Sequence, residues 1–493
     1  MPTLTMEQAY RPIRNRLRRL HPRSTVELIL RLLQQLRGDD IVHDLRHAPW
    51  LHLLLVKWTC QDSMAGMQSV RNATRDDIFA LAQSLWELPG RLDAPAQSRL
   101  IMRQILGPQL RFQYYDRTSL IREAAILLTL PDDHRLRRQF EMQSGLTLHA
   151  LIDLSLAVIG RLEVQNNWTV PEGYFQPFER PYSATLVENF RNCISRDFAG
   201  LTAFFGSLPD ARRKRKSELF EFPVISRYPF YRSNGRLVCW HPAVAYHGMG
   251  HFVHSILAQS VEDGVSAYGK AFEIHVTSVA RSARGEVYDE GDLRGMIPDG
   301  EKTPDVLIST PECNIFVEAK SGVFGENIMA SGNAEILQDK LAAVNHAVLQ
   351  GWSASHWLRA SEISPAQIRE ATTDFLLIVT NKELILGNGA RLSQLYGEPI
   401  EIPESYSNGR LAIERVYIMA IEDFERLMLA EELGEISLPD FLSQCVSDDS
   451  EATSARLLME QHLTSDCIPR RSSTVVSNEL DRALERAEQF LHD

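Results

Sequence analysis

The chain of 493 residues carries 52 Lys+Arg against 64 Asp+Glu, a net charge of −12, with 44% hydrophobic and 24% charged residues. At roughly 100–200 residues per domain, that length predicts about two to four domains and excludes a single small module. The composition excludes a disordered or fibrous chain.

The first residues, Met1-Pro2-Thr3-Leu4-Thr5-Met6, lack a basic stretch followed by an apolar run, so no signal peptide is expected. The greasiest segments, 51–56 and 124–128, fall well short of the roughly 18 apolar residues that cross a bilayer, so no membrane partner is expected. Six scattered cysteines form no Cys-x-x-Cys pair, which argues against a zinc ribbon or a disulfide framework and favours a cytoplasmic location. The charge is uneven along the chain. Residues 1–264 hold 33 basic against 26 acidic side chains (+7), residues 265–430 hold 14 against 24 (−10), and residues 431–493 hold 5 against 14 (−9). Any attraction for nucleic acid therefore belongs to the first half.

Residues 1–165 read as successive helices. Ser24-Thr25-Val26-Glu27 has the form of a capping box before an apolar run, with Gly38 at the expected C-terminal position. Thr74-Arg75-Asp76-Asp77 opens another helix with acids in its first turn. Further helices are expected near 96–106, 118–129 and 147–162, without a fixed repeat period. Residues 166–263 change to prolines, aromatics and short strands, a connecting α/β module in which 222–225 and 237–240 flank a Ser233-Asn234-Gly235 turn. Its basic run, Arg212-Arg213-Lys214-Arg215-Lys216, is either a solvated loop or a nucleic-acid contact.

From 264 to 430 the pattern becomes helix, three strands, helix, strand. A helix over 268–280 precedes strands at 286–288, 305–308 and 315–320, a helix over 334–349 and a strand at 375–379, with 416–421 as one more. The remainder, 431–493, is an acidic tail with a polar stretch at 447–451 and a terminal helix opened by Asn478, striped by Leu480, Ala483, Leu484, Ala487 and Leu491.

The sharpest constellation is Thr303-Pro304-Asp305-Val306 followed by Val317-Glu318-Ala319-Lys320. Asp305 opens one strand, while Glu318 and Lys320, two apart on the next, point to the same face. Two carboxylates are what a hard divalent cation needs from protein, and a lysine ammonium can orient the attacking water or neutralise developing charge. These residues resemble the signature of the PD-(D/E)xK nuclease superfamily, matched by Pro304-Asp305 and Glu318-Ala319-Lys320. The resemblance covers about 264–430 and implies a restriction-endonuclease-like domain, a mixed central sheet flanked by helices, behind an α-helical N-terminal region. It also implies a glutamate on the preceding helix, here Glu273. Glu273, Asp305 and Glu318 would surround Mg²⁺ or Mn²⁺, with Lys320 beside the water. Gln338, on the following helix, is a looser accessory candidate, and Asp299, in a Pro-Asp-Gly turn, is set aside for Asp305.

Other motifs read as decoys. The glycine and lysine spacing of a phosphate-binding loop at 264–271 puts Ala271 where Ser or Thr would hold Mg²⁺, and no strand precedes it. His247-Gly-Met-Gly-His251, with His241 and His254 nearby, has helical metal-pair spacing but two glycines, so packed or hydrogen-bonded histidines are expected. The same holds for His43 and His47 around Asp44.

The expected activity is metal-dependent phosphodiester hydrolysis, with DNA as the favoured substrate. A long helical region fused to one nuclease domain is similar to single-chain bacterial anti-phage defence nucleases. That similarity implies regulation by the N-terminal region, a phage-derived trigger and a homo-oligomer among its partners. The alternatives are an RNA-cleaving nuclease, tRNA included, and a catalytically inactive nuclease fold kept for binding or as a scaffold.

Overall fold

The computed structural model describes residues 4–35, 47–62, 70–92, 97–113, 118–165, 168–259, 264–322, 326–451 and 453–492. Gly38, His43 and Asp44 lie outside them. The chain divides into two compact units. One comprises Met1–Gln259, Gly325–Gly332 and Glu479–Asp493, and the other Ser260–Phe324 and Asn333–Asn478. Residues 166–259 fall in the same unit as the helices before them, and residues 431–493 are divided between the two units. No single described helix is long and apolar enough to cross a membrane.

The first unit is helical, with a small four-stranded mixed sheet. Helix Pro49–Asp62 is buried on nearly every side, as its run of leucines and tryptophans requires, and Val26, Ile29, Leu55 and Trp58 form the core around it. The helix opened by Thr74 forms as expected, at Arg75–Glu87, and Thr74 and Asp77 make a capping box with reciprocal bonds. Ser24 is not a cap. Pro22 pre-sets the first helical dihedral, so the helix begins three residues earlier, at Pro22–Gln35, and the His21 ring caps it by accepting from the Ser24 N–H at 3.2 Å.

The strands are β1 (Thr169–Pro171), β2 (Ser195–Arg196), β3 (Phe230–Ser233) and β4 (Arg236–Cys239), in the order β1-β4-β3-β2. β3 and β4 form the expected hairpin, with Asn234 and Gly235 both at positive φ, as a two-residue turn of that hand needs. Residues 222–225 are not its first strand, because Pro223 leads into a short 3₁₀ turn at Val224–Arg227. The C-terminal helix, Thr474–His492, starts before Asn478, and its stripe differs from expectation. Leu484 is exposed, while Glu479 is buried and paired with Arg486. Arg486 also grips the buried Asp153 through two bonds of 2.9 and 2.7 Å.

The second unit is built on a five-stranded mixed sheet of β5 (Glu286–Asp289), β6 (Val306–Ser309), β7 (Cys313–Lys320), β8 (Thr373–Thr380) and β9 (Leu411–Ala420), in that order. β5, β6 and β7 run antiparallel, and β7, β8 and β9 run parallel. The runs Ile315-Phe316-Val317 and Phe375–Val379 are buried throughout, as central strands covered on both faces must be. Helix Gly264–Ala280 precedes the sheet, so the supposed phosphate loop at 264–271 is continuous helix. The helix expected over 334–349 is two, Ala334–Lys340 and Ala342–Ala360. The polar stretch at 447–451 is largely the end of helix Leu438–Ser450, whose Leu442 and Cys445 are buried.

Candidate active site

The β6–β7 register places Val306 opposite Val317, and one step further along the antiparallel pair sets Asp305 against Glu318. Asp305 follows the buried Pro304, and its Oδ2 accepts the Ala319 N–H at 2.7 Å. Glu318 is wholly buried at the end of the central strand. Its Oε2 accepts from Lys320 Nζ at 2.5 Å, while its Oε1 is buried without a partner. The two residues the pleat sends to one face are therefore in direct contact.

Two glycines bring helices to this strand end. A Cβ on Gly269 would stand 3.2 Å from Ser321 Oγ, so helix Gly264–Ala280 approaches closely just beyond Lys320. Glu273 lies one turn further on the same face. There it is held by Lys270 and adds negative potential at both Asp305 and Glu318. On helix Ala342–Ala360, a Cβ on Gly351 would lie 2.8 Å from Leu376 Cδ2, so the helix rests on β8. The adjacent Gln350 reaches Lys320 Nζ through Oε1 at 3.3 Å, contacts His346 Nδ1 at 2.8 Å and donates to the Thr303 carbonyl at 3.4 Å.

Burial sets the electrostatics. It lifts the Glu318 carboxyl to about 8, with Asp305 and Glu273 pushing the same way and Lys320 opposing. Burial likewise lifts Asp305 to about 6 against the pull of Lys320 and the Ala319 N–H. Burial and mutual repulsion thus leave the ionised forms of these carboxyl groups undercompensated, which suits a cation bound through oxygen. The unpartnered Glu318 Oε1 and Asp305 fit such an ion as a carboxylate pair. Among the described residues no group of three His, Cys, Asp or Glu side chains is arranged to hold a metal, and Glu273 is turned to Lys270.

Sequence reasoning missed Gln350 and His346. The expected helix stops at Leu349, one residue before Gln350, whereas the helix runs to Ala360, and the signal was the Gln350-Gly351 pair. Gln338 is engaged elsewhere, donating to Glu398 Oε1 at 3.0 Å. Asp299 lies exposed in its turn. The basic run is broken up. Lys214 is buried with its ammonium among Gln61, Asp62 and the Ala211 carbonyl, and Arg215 pairs with Asp210 and Glu221. Arg212 and Arg213 are exposed, and Lys216 begins a short 3₁₀ turn. A row of five free cations is therefore not what the structure presents.

The histidines do structural work. His241 caps helix Pro242–Gly250, His247 packs its ring 4.2 Å from that of Phe222, and His251 and the His254 N–H satisfy the two oxygens of buried Glu123 at 3.0 and 2.8 Å. Gly248 lies between them because a Cβ would fall 1.9 Å from the Ser226 carbonyl oxygen.

No family model, curated protein or solved structure matches the chain.

Proposed function

We propose that the chain is a metal-dependent nuclease that hydrolyses phosphodiester bonds of nucleic acid, with DNA as its favoured substrate. The observation that carries this reading is Glu318, a wholly buried carboxylate with one orphan oxygen, beside Asp305 and Lys320 at the end of a central strand. A carboxylate in that position costs stability unless something is bound there. The succession of helix, three antiparallel strands, helix and parallel strand also supports the resemblance to PD-(D/E)xK nucleases.

In this reading Asp305 and Glu318 hold Mg²⁺ or Mn²⁺, and Glu273 contributes potential rather than a direct bond. The ion when bound supplies a water of lowered pKa and neutralises phosphate charge. The Ala319 N–H fixes the Asp305 carboxylate, and Gln350 holds the Lys320 ammonium over the strand end, where it can orient the attacking water. The first unit, which includes residues 325–332 shortly after Lys320 in the chain, is proposed as the regulator of this activity in anti-phage defence.

The test is incubation of the purified chain with plasmid, linear duplex, single-stranded DNA and total RNA. Cleavage is expected with Mg²⁺ or Mn²⁺ and not with Zn²⁺ alone, and persistent cleavage in excess EDTA contradicts the reading. The direct Lys320–Glu318 pair favours, as a second reading, a nuclease-like fold kept for binding. Retention of nucleic acid without cleavage under every metal condition would select it.

A further inference from the structure

The first unit contains a concave apolar site that takes no part in the chemistry above. It is a cavity of about 380 Å³ whose walls include Trp50, Trp86, Ile101, Ile105, Gln104 and Lys216. Its size is that of a small-molecule site. Trp50 belongs to helix Pro49–Asp62, Trp86 to Arg75–Glu87, and Ile101, Gln104 and Ile105 to Ser98–Gln113, so much of the wall is rigid helix. Trp50 is buried and provides a floor. Trp86, Ile101 and Ile105 are 56%, 39% and 41% exposed, a concentration of large apolar surface around one concavity that marks a binding site.

The polar groups narrow the ligand. Gln104 is buried, and its amide donates to the Ala330 carbonyl at 2.6 Å, which fixes the orientation of its carboxamide in the wall. Lys216 adds positive charge to a lining whose other side chains, apart from Gln104 and Gln109, are apolar. Two indoles offer flat, polarisable faces. We propose that this cavity binds a small, flat aromatic anion of two or three rings, its rings against Trp50 and Trp86 and its charged group toward Lys216. The proposal is independent of the nuclease reading and is tested by binding alone.

The probe is 1-anilinonaphthalene-8-sulfonate, added to the full-length protein and followed by its own fluorescence and by quenching of tryptophan. The expected result is saturable binding of one probe per chain. Gly90 also lines the cavity, its φ is not positive, and a Cβ there would meet nothing within 4 Å. Gly90→Trp should therefore fill the space without disturbing the fold and weaken binding at least tenfold at an unchanged melting temperature. Trp86→Ala, at a largely exposed side chain, should weaken it severalfold. The uncharged analogue N-phenyl-1-naphthylamine should bind at least threefold more weakly than the sulfonate, and Lys216→Gln should erase that difference. Equal binding to wild type and Gly90→Trp, several probes per chain, or equal affinity for the two analogues overturns the proposal. So does a concentration-dependent dimer, seen by light scattering, that Trp86→Ala dissolves, because a second copy then covers the site.

Discussion

Two buried glutamates of the first unit, Glu218 and Glu123, and one of the second, Glu318, are treated in opposite ways. In the first unit Glu218 Oε2 accepts from Lys57 Nζ at 2.8 Å and Trp58 Nε1 at 3.0 Å, and its Oε1 accepts the Arg215 N–H at 2.6 Å. Glu123 has both oxygens filled by His251 and the His254 backbone. Burial alone would raise its carboxyl, but these partners outweigh it and bring it below the ordinary range. In the second unit Glu318 keeps an orphan oxygen and is lifted to about 8. A buried charge whose bonds are complete holds a fold together, whereas one left incomplete is poised to bind something else.

The largest expected effect tests that contrast through activity. Asp305→Asn, Glu318→Gln and Lys320→Ala should each lower cleavage by about 10³-fold or more in a plasmid assay, while Glu318→Gln leaves the melting temperature unchanged or higher. A large stability loss in Glu318→Gln would place Glu318 with the structural glutamates. The converse is Glu218→Ala, which takes the acceptor from buried Trp58 Nε1 and leaves Lys57 with Asp210 alone, and should cost about 3–5 kcal/mol in urea unfolding. A neutral outcome there would dissolve the distinction.

Protonation sharpens it further. Because the folded Glu318 carboxyl sits at about 8, above its unfolded value, the native state holds the extra proton between the two. Without metal, stability should therefore fall as pH rises through that window toward 8. Asp305, at about 6, adds to the fall in the lower part of the window. Thermal melts in EDTA across that range should show the fall in wild type and a flatter curve in Glu318→Gln. Mn²⁺ binding, followed by electron paramagnetic resonance, should tighten over the same range, since the ion displaces protons.

A smaller effect, about 1–3 kcal/mol, is expected from Gly248→Ala in the first unit, where the new methyl group meets the Ser226 carbonyl. Smallest is the change from Arg212→Ala with Arg213→Ala. If both touch phosphate, the slope of log affinity against log salt should fall by about 2, and an unchanged slope returns them to a solvated surface.

Much of this architecture was legible because period and polarity are local. The central strands at 315–320 and 375–379, the Asn234-Gly235 turn and the Thr74 cap follow from short-range pattern alone, and the convergence of Asp305 with Glu318 follows from the pleat and one antiparallel register. What escaped depended on distant partners. Lys214 reads as one of five cations until Gln61 and Asp62 arrive from elsewhere in the chain. Gln350 lies just past the expected helix end at Leu349, and only the packing of Gly351 on β8 shows that the helix runs on. Ser24 lost the cap to His21 because Pro22 fixed the start, a local cue outweighed by a better-looking motif.

The first unit is written into the chain in three pieces, the last beginning at Glu479. Its buried Asp153 is answered by Arg486, 333 residues further along the chain. Although most of this unit is synthesised first, it is completed after every described strand of the second unit has emerged. Termination anywhere before Arg486 leaves Asp153 without its guanidinium partner, so closing the first unit requires synthesis through the whole of the second.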